Sequence, residues 1–152
     1  CIRDNEEEEK IMTIKQISVF LENQPGKLAE VAAVLSAQKI NLRAISVAEA
    51  SDFGIARIIV DDVFNAVTIL KNENYICSIT DVIAVEVQDE PGMLANMIAV
   101  LGTEGINIEY MYTILGKKND VAYMIIRTND DAQAAKILDA KGFRIVGMDA
   151  MK

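Results

Sequence analysis

The stretch ENQPGKLAEVAAVL, residues 22–35, returns later in the chain as QDEPGMLANMIAVL, residues 88–101. These stretches hold Pro25 and Pro91, the only two prolines among 152 residues. A shift of 66 residues superposes residues 22–43 on 88–109 without a gap, and nine of the 22 positions are identical. Ordinary composition gives roughly one or two identities over such a length. The chain therefore contains an internal duplication, which decides how the rest of the sequence is interpreted.

The first copy predicts a strand, a helix, two strands, a helix and a strand. Residues 15–21 alternate in polarity and are rich in β-branched residues, which is typical of a strand. Pro25 fits the first turn of the helix that follows. Four apolar residues at helical spacing are expected to face the core: Leu28, Val31, Ala32 and Leu35. This helix is predicted to end near 38–39, with strands over 40–48, 54–60 and 75–80 and a helix over 64–73.

The second copy repeats the same pattern. Glycines after its two helices, Gly105 and Gly142, are typical of helix C-terminal caps. Beyond residue 128 the shift between copies grows from 66 to 68, so that Ile69-Leu70 falls on Ile137-Leu138 and two residues are inserted near 128–131. Strands are predicted over 82–87, 106–115, 121–127 and 143–148, and helices over 94–103 and 132–141.

Each copy therefore predicts the βαββαβ order of a ferredoxin-like unit. The expected fold class is α+β, with two such domains, antiparallel sheets and helices on one face. We place an acidic tail at 1–11, expected to be disordered, and domains at 12–80 and 81–152. The link between them is only Thr80-Asp81. So short a link predicts a fixed relation between the domains, packed side by side as a pseudo-dimer.

Composition excludes several classes of function. The net charge of −8 argues against nucleic acid, which is bound through an excess of lysine and arginine. No apolar run reaches the ~20 residues of a membrane span, and the start CIRDNEEEEK does not resemble a secretory signal. Cys1 and Cys77 alone give neither a disulfide framework nor metal-ligand spacing. We therefore expect a cytoplasmic protein without metal, cofactor, membrane or nucleic-acid partner.

The residue inventory also argues against an enzyme. The chain has no histidine, so the usual activation of a serine or cysteine nucleophile is missing. Cys77 lies in the apolar run YICSIT and is predicted to be an inert core thiol. No carboxylate pair recurs in an apolar setting that would raise a pKa for acid–base catalysis. The ferredoxin-like fold hosts many functions, so the site must decide between them.

The repeated element resembles the ACT domain, a small-molecule sensing module of amino-acid metabolism. The resemblance rests on a strand, the motif (N/D)-x-P-G-x-L-A, an amphipathic helix and an Ile-Asn pair 16 residues beyond each proline. It covers residues 13–148 in two copies. More narrowly, the chain is similar to freestanding bacterial tandem ACT proteins, which resemble regulatory subunits of acetolactate synthase. The resemblance implies a non-catalytic sensor that binds an amino acid, commonly between two ACT domains, and regulates amino-acid metabolism.

The Pro-Gly loops are the predicted binding sites. A helix start leaves unpaired N–H groups that attract a carboxylate, and Gly26 and Gly92 allow close approach to the backbone. Asn23 or Asp89, together with Asn41 or Asn107, can offer oxygens to the ammonium group. The predicted ligand-binding residues are Asn23, Gln24, Pro25, Gly26, Lys27, Leu28, Asn41, Asp89, Glu90, Pro91, Gly92, Met93, Leu94 and Asn107.

Several alternatives stay open at this stage. A Pro-Gly pair before a helix is also an ordinary turn with a helix start, and the two asparagines could simply bond their own backbone at a strand entry. The loops differ: Lys27 favours a carboxylate at the first, whereas Asp89 and Glu90 compete with one at the second. We therefore expect the stronger site around residues 23–28 and Asn41. A homodimer is expected, and the rival function is a regulatory subunit that docks on a biosynthetic enzyme such as acetolactate synthase.

Overall fold

A computed structural model describes residues 12–88, 90–115 and 121–151 of the chain. The predicted acidic tail, residues 1–11, lies outside the described residues. The chain divides into two compact units. The first unit is Lys15–Asp81, and the second begins at Val82 and includes residues 12–14.

The first unit has the predicted βαββαβ order. Its strands are hydrogen-bonded in the order β2-β3-β1, and both pairs are antiparallel, with Ile17 of β1 and Ile45 of β2 both opposite Ile58 of β3. The elements are β1 (Ile14–Glu22), α1 (Lys27–Ala37), β2 (Leu42–Ala50), β3 (Phe53–Val60), α2 (Val63–Asn72) and the first part of β4 (Ile76–Gln88).

Both helices of the first unit pack on one face of its sheet. The buried residues of α1 and α2 contact alternate residues of β1 and β3, because successive strand residues point to opposite faces. This core consists of Ile17, Val19, Leu21, Val31, Leu35, Ala56, Ile58, Val60, Ala66 and Leu70. The helix stripe predicted from the sequence is wrong at its first member, since the side chain of Leu28 is 38% exposed. Leu28 lies in the first turn of α1, before the two residues of that helix that reach the core, Val31 and Leu35.

The second unit repeats the arrangement. Its strands are ordered β5-β6-β4-β7, all antiparallel, over a separate core that includes Met97, Leu101 and Leu138 from the helices. The elements after β4 are α3 (Met93–Thr103), β5 (Ile108–Leu115), β6 (Val121–Thr128), α4 (Asp131–Ala140), β7 (Arg144–Val146) and the single turn α5 (Met148–Met151). The α+β class with two ferredoxin-like domains is thereby confirmed.

The predicted break at Thr80-Asp81 is wrong. The strands predicted over 75–80 and 82–87 form one strand, β4, of 13 residues. Its sequence ICSITDVIAVEVQ contains no glycine or proline to turn the chain. Asp81 lies within this strand, and its carboxylate accepts a hydrogen bond of 2.9 Å from Lys15 Nζ on β1.

The last strand is also shorter than predicted. The sequence predicts a strand over 143–148, but β7 comprises only Arg144–Val146. Gly147 follows it, and the amide of Ala150 donates to the Gly147 carbonyl at 3.2 Å, which starts the turn α5. The glycine therefore ends the strand two residues before the predicted boundary.

Four helices end in the same type of cap. After α3 and α4, Gly105 and Gly142 take the left-handed conformation with φ of 77° and 89°, which confirms them as predicted caps. At the corresponding positions after α1 and α2, Lys39 and Asn74 take φ of 60° and 68°. In each case the next residue donates its N–H to a carbonyl in the last turn, at 2.9–3.0 Å, which closes the helix end.

Candidate functional site

The first Pro-Gly loop is a tight turn that ends at the start of α1. Gly26 is the N-cap residue, with φ 88° and ψ −13°, a conformation that L-residues rarely adopt. The amide of Lys27 donates to the Gln24 carbonyl at 3.4 Å and closes the turn. Pro25 is therefore not in the first helical turn, as the sequence predicted, but two residues before the helix begins at Lys27.

The start of α1 presents free backbone amides. The first helical hydrogen bond runs from Glu30 N to the Gly26 carbonyl at 3.0 Å, and no side chain caps the helix. Among the residues that the structure describes, the amides of Leu28 and Ala29 have no hydrogen-bond acceptor. A Cβ at Gly26 would meet nothing within 4 Å, so the space beside this N-cap residue is open. Free N–H groups and the helix dipole together favour an anion.

The second Pro-Gly loop has the same geometry. Gly92 caps α3 with φ 88° and ψ −12°, also without a side-chain cap. Met93 N donates to the Glu90 carbonyl at 3.2 Å, and Asn96 N donates to the Gly92 carbonyl at 2.9 Å. Asp89, which the sequence proposed as an ammonium partner, lies outside the described residues. The duplicated sequence therefore builds the same turn twice.

Asn23 ties the first loop to the neighbouring hairpin. Its Nδ2 donates to the Ser51 carbonyl at 3.1 Å and to Glu49 Oε1 at 3.3 Å, and its backbone N–H donates to the Asp52 carbonyl at 3.1 Å. These bonds hold the end of β1 against the turn between β2 and β3. Asn23 is exposed, and its side chain lies beside the carboxylate of Glu49.

The structure does not bring Asn41 to the first loop. Asn41 precedes β2 at the end of the strand where Leu42 pairs with Val60, and its Nδ2 donates to Asp61 Oδ2 at 3.3 Å. Asn23 lies at the other end of the same sheet, near Asp52. The nine residues of β2 separate the two asparagines by roughly 30 Å, at about 3.3 Å per residue. Within one unit they cannot hold the same ligand.

In the second unit, Asn107 is likewise far from the Pro-Gly loop. Its N–H donates to Asn129 Oδ1 at 3.0 Å, and its carbonyl accepts from Asn129 N at 3.2 Å. These bonds lie beside the Thr128 end of β6, whereas the second loop follows Gln88, which pairs with Val121 at the opposite end. These bonds use the backbone of Asn107 and not its side chain, so they do not test the alternative that this asparagine bonds its own backbone.

The remaining predicted residues surround the two helix starts. Gln24 and Glu90 are exposed, while the apolar side chain of Met93 packs against the core of the second unit. Leu94 is 43% exposed, as its counterpart Leu28 is in the first unit. Lys27 Nζ lies 3.8 Å from Glu30 Oε2, one turn along α1. Lys27 thus adds positive charge to the first helix start, where Met93 adds none to the second.

A groove beside the first loop was missed by the sequence analysis. Its volume is about 630 Å³, and Lys27, the first residue of α1, lies in its wall. We call it the loop-1 groove. It is lined by Phe20, Leu21, Glu22, Lys27, Glu30, Phe53, Asn74, Tyr75 and Ile76. Burial raises the pKa of Tyr75, and the nearby negative charges of Glu30 and Glu73 raise it further.

Other kinds of site find little support in the described parts of the chain. There, no three histidine, cysteine or acidic side chains are grouped so that they could hold a metal ion. None of the helices within residues 12–88, 90–115 and 121–151 is long and apolar enough to cross a membrane. Burial raises the pKa of the Cys77 thiol, an effect that Lys71 partly offsets, and the side chain packs against the first core. Cys77 is thus a weak nucleophile.

The family of the chain follows from comparison with known proteins. A family model described as an ACT domain pair matches residues 12–150, so the chain belongs to the ACT domain family. Such pairs are typically ligand-binding regulatory domains of amino-acid metabolism, and ACT domains are regulatory, not catalytic. No curated protein sequence gives a significant match.

Solved structures agree with this assignment. The chain is similar to protein BT0572 from Bacteroides thetaiotaomicron, with 38% identity and a TM-score of 0.84 over 92% of this chain and 96% of that one. It also resembles the regulatory subunit of aspartate kinase from Thermus thermophilus, in a ligand-free form, with 18% identity and a TM-score of 0.61 over 88% and 95% of the two chains. At that identity the second likeness shows the fold alone.

Proposed function

We propose that this protein is a non-catalytic sensor that binds a free amino acid at its Pro-Gly loops and thereby regulates amino-acid metabolism. One observation carries the proposal. Both helices that follow a Pro-Gly loop begin with two amides that have no acceptor among the described residues, next to a glycine with φ 88°. Such a helix start accepts a carboxylate, the group that all free amino acids share.

The first loop is proposed as the stronger site. Lys27 stands at the first helix start, and the oxygens of Asn23 and Glu49 lie beside the loop to receive an ammonium group. At the second loop Glu90 adds negative charge close to the amides that would bind the carboxylate. Because Asn41 and Asn107 lie at the far ends of their sheets, the proposed site in each unit is reduced to the loop and the helix start.

A thermal-shift screen with the twenty common amino acids tests this function. A ligand at 100 times its Kd stabilises the folded protein by ~2.7 kcal/mol, which shifts the unfolding temperature measurably. The proposal predicts that one or a few amino acids raise this temperature, and that the corresponding amino alcohols, which lack the carboxylate, do not. If no amino acid has an effect, the sensor function is wrong.

We also propose that the protein forms a homodimer. Strand β2 is the outermost strand on its side of the first unit, and it exposes the apolar side chains of Ile45 and Val47. Unpaired strand edges in proteins are usually covered or protected by charge. Sedimentation velocity should give a dimer mass for the wild type and a monomer for Val47→Lys. A wild-type monomer would contradict this proposal.

A regulatory subunit is the second candidate function. It is favoured by the fold shared with the aspartate kinase regulatory subunit from Thermus thermophilus. In this case the protein would dock on a biosynthetic enzyme such as acetolactate synthase. Co-expression with that catalytic subunit distinguishes the candidates: a stable complex whose activity responds to an amino acid supports docking, whereas amino-acid binding without a complex supports the freestanding sensor. The protein is proposed to act in the cytoplasm.

A further inference from the structure

The loop-1 groove indicates the class of amino acid that the first unit binds. Its apolar wall is formed by Phe20, Phe53 and Ile76, and the two aromatic ring centroids lie 6.4 Å apart. These side chains are 43%, 47% and 72% exposed. A single exposed apolar residue is ordinary on a protein surface, but three that line one groove of about 630 Å³ have the size and character of a small-molecule site.

The rim of the groove carries charges of both signs. Lys27 contributes an ammonium group, and Glu22 and Glu30 contribute carboxylates. The separation of 3.8 Å between Lys27 and Glu30 leaves this exposed pair weakly bound, so that either group can turn to a ligand. A zwitterion with an apolar body matches this combination, because its charged ends meet opposite charges while its side chain contacts the apolar wall.

The second unit differs at the same place in its sheet. In the duplication Phe20 corresponds to Glu86 and Ile76 corresponds to Arg144. Glu86 and Arg144 are direct partners across β4 and β7, and Arg144 Nη1 lies 3.4 Å from Glu86 Oε2. An ion pair therefore replaces the apolar wall. The apolar groove belongs to the first unit and is not a necessary consequence of the fold.

We propose that the loop-1 groove holds the side chain of a free amino acid with a large apolar side chain, between leucine and phenylalanine in size. Its carboxylate lies at the start of α1 beside Lys27, and its ammonium group faces the oxygens of Asn23 and Glu49 that are proposed above as its partners. This inference rests on the amino-acid binding proposed above and adds the selectivity of the first site.

Calorimetry on the full chain with L-phenylalanine, L-leucine, L-alanine and glycine separates the two proposals. A methylene group buried in an apolar pocket changes affinity roughly tenfold or more, so leucine or phenylalanine should bind at least tenfold more tightly than alanine. Equal affinities for all four would overturn the proposal that the groove selects a large apolar side chain, but would leave the proposed sensor function in place. Absence of binding by all twenty common amino acids would overturn both.

A double variant introduces into the loop-1 groove the two residue types that the second unit has at the corresponding positions. Phe20→Glu with Ile76→Arg places in the groove the ion pair that the chain already carries at Glu86 and Arg144. It should reduce binding of leucine and phenylalanine at least tenfold, to the level of alanine. Phe53→Thr removes one wall without adding charge and should act in the same direction, so the test does not depend on the folding of the double variant. Unchanged binding in both would overturn the proposal.

A matched control removes an exposed aromatic side chain elsewhere. Phe64 on α2 is 67% exposed and does not line the groove, so Phe64→Glu should leave binding unchanged. Sedimentation velocity of the same variants tests whether a second copy of the chain, and not a ligand, fills the loop-1 groove. If the groove variants dissociate a dimer while the preference for large side chains persists, the groove is a contact between two copies of the chain and the ligand assignment is wrong.

Discussion

Lys39 and Gly105 take the same left-handed backbone conformation, with φ of 60° and 77°, at positions 66 residues apart in the duplication. Each is the second residue after its helix. The N–H of the residue that follows donates to the Leu35 carbonyl at 3.0 Å in the first unit and to the Leu101 carbonyl at 2.9 Å in the second. The two copies have kept the turn and changed the residue that makes it. Lysine has a Cβ that strains this conformation, whereas glycine has none.

The first prediction follows from this pair. Lys39→Gly should raise the free energy of unfolding by about 0.5–1 kcal/mol, because relief of the left-handed strain exceeds the added entropy of the unfolded chain. Urea unfolding followed by circular dichroism measures the change. The reverse substitution, Gly105→Lys, should destabilise the protein by a similar amount. A less stable Lys39→Gly variant would show that the lysine side chain makes a contact that outweighs the strain.

The second prediction concerns Gly26. Gly26→Ala places a methyl group in the open approach to the free amides and should weaken amino-acid binding at least tenfold. It also strains the backbone, since φ is 88°. Gly105→Ala is the matched control, because that glycine has φ 77° and open space around it but follows the C-terminal end of α3 and is not part of a Pro-Gly loop. Both variants should lose about 1 kcal/mol of stability, and only Gly26→Ala should lose binding in calorimetry. Equal binding by both would place the site elsewhere.

The third prediction separates the two asparagines of the first unit. Asn23→Ala should cost about 1 kcal/mol of stability by removing the hydrogen bond to the Ser51 carbonyl, and should weaken the first site. Asn41→Ala removes a hydrogen bond to Asp61 at the opposite end of β2 and should leave binding unchanged. Calorimetry at one temperature compares them. If Asn41→Ala abolishes binding and Asn23→Ala does not, the proposed site is at the wrong end of the sheet.

The fourth prediction uses the titration of Tyr75. Burial, and then Glu30, raise its pKa above the ordinary value of about 10. Because the folded state holds the proton more tightly, this contribution to stability is complete below that ordinary value and is lost as pH rises through the higher pKa of the folded protein. Absorbance titration of the wild type minus that of Tyr75→Phe isolates the group. Glu30→Gln should move the titration to lower pH; no movement would contradict the contribution of Glu30 to this pKa.

The fifth prediction concerns Cys77. Because burial raises the pKa of its thiol, less of it is thiolate at neutral pH than in a free cysteine. In a Cys1→Ser background, iodoacetamide should modify Cys77 at least tenfold more slowly in the folded protein than in urea. Equal rates would contradict both the packing of this side chain and its assignment as an inert thiol.

The duplication made most of the fold predictable. Apolar residues such as Val31 and Leu35 recur at helical spacing, and Gly105 and Gly142 mark helix ends by a backbone conformation that glycine adopts freely. The continuity of β4 through Thr80-Asp81 could not be predicted in this way, because a charged residue inside a strand resembles a turn until its partner is known. That partner, Lys15, lies 66 residues earlier in the chain.

The site was less predictable than the fold. The loops could be found because Pro25 and Gly26 are local signals, but the position of Asn41 depends on the direction of β2, which spacing from a proline does not reveal. The loop-1 groove joins Phe20, Phe53 and Ile76 from three strands. One signal for it exists in the sequence: the copies differ in polarity at Phe20 and Glu86 and again at Ile76 and Arg144.

The most direct test of the central claim observes the free amides themselves. A ¹⁵N NMR titration would follow Leu28 and Ala29 of the first unit while the amino acid that stabilises the protein most is added. Hydrogen bonding to a carboxylate should move their proton resonances downfield, with smaller changes at Leu94 and Ala95 and none at Asn41. Saturable binding that leaves the resonances of all four loop amides unmoved would contradict the account.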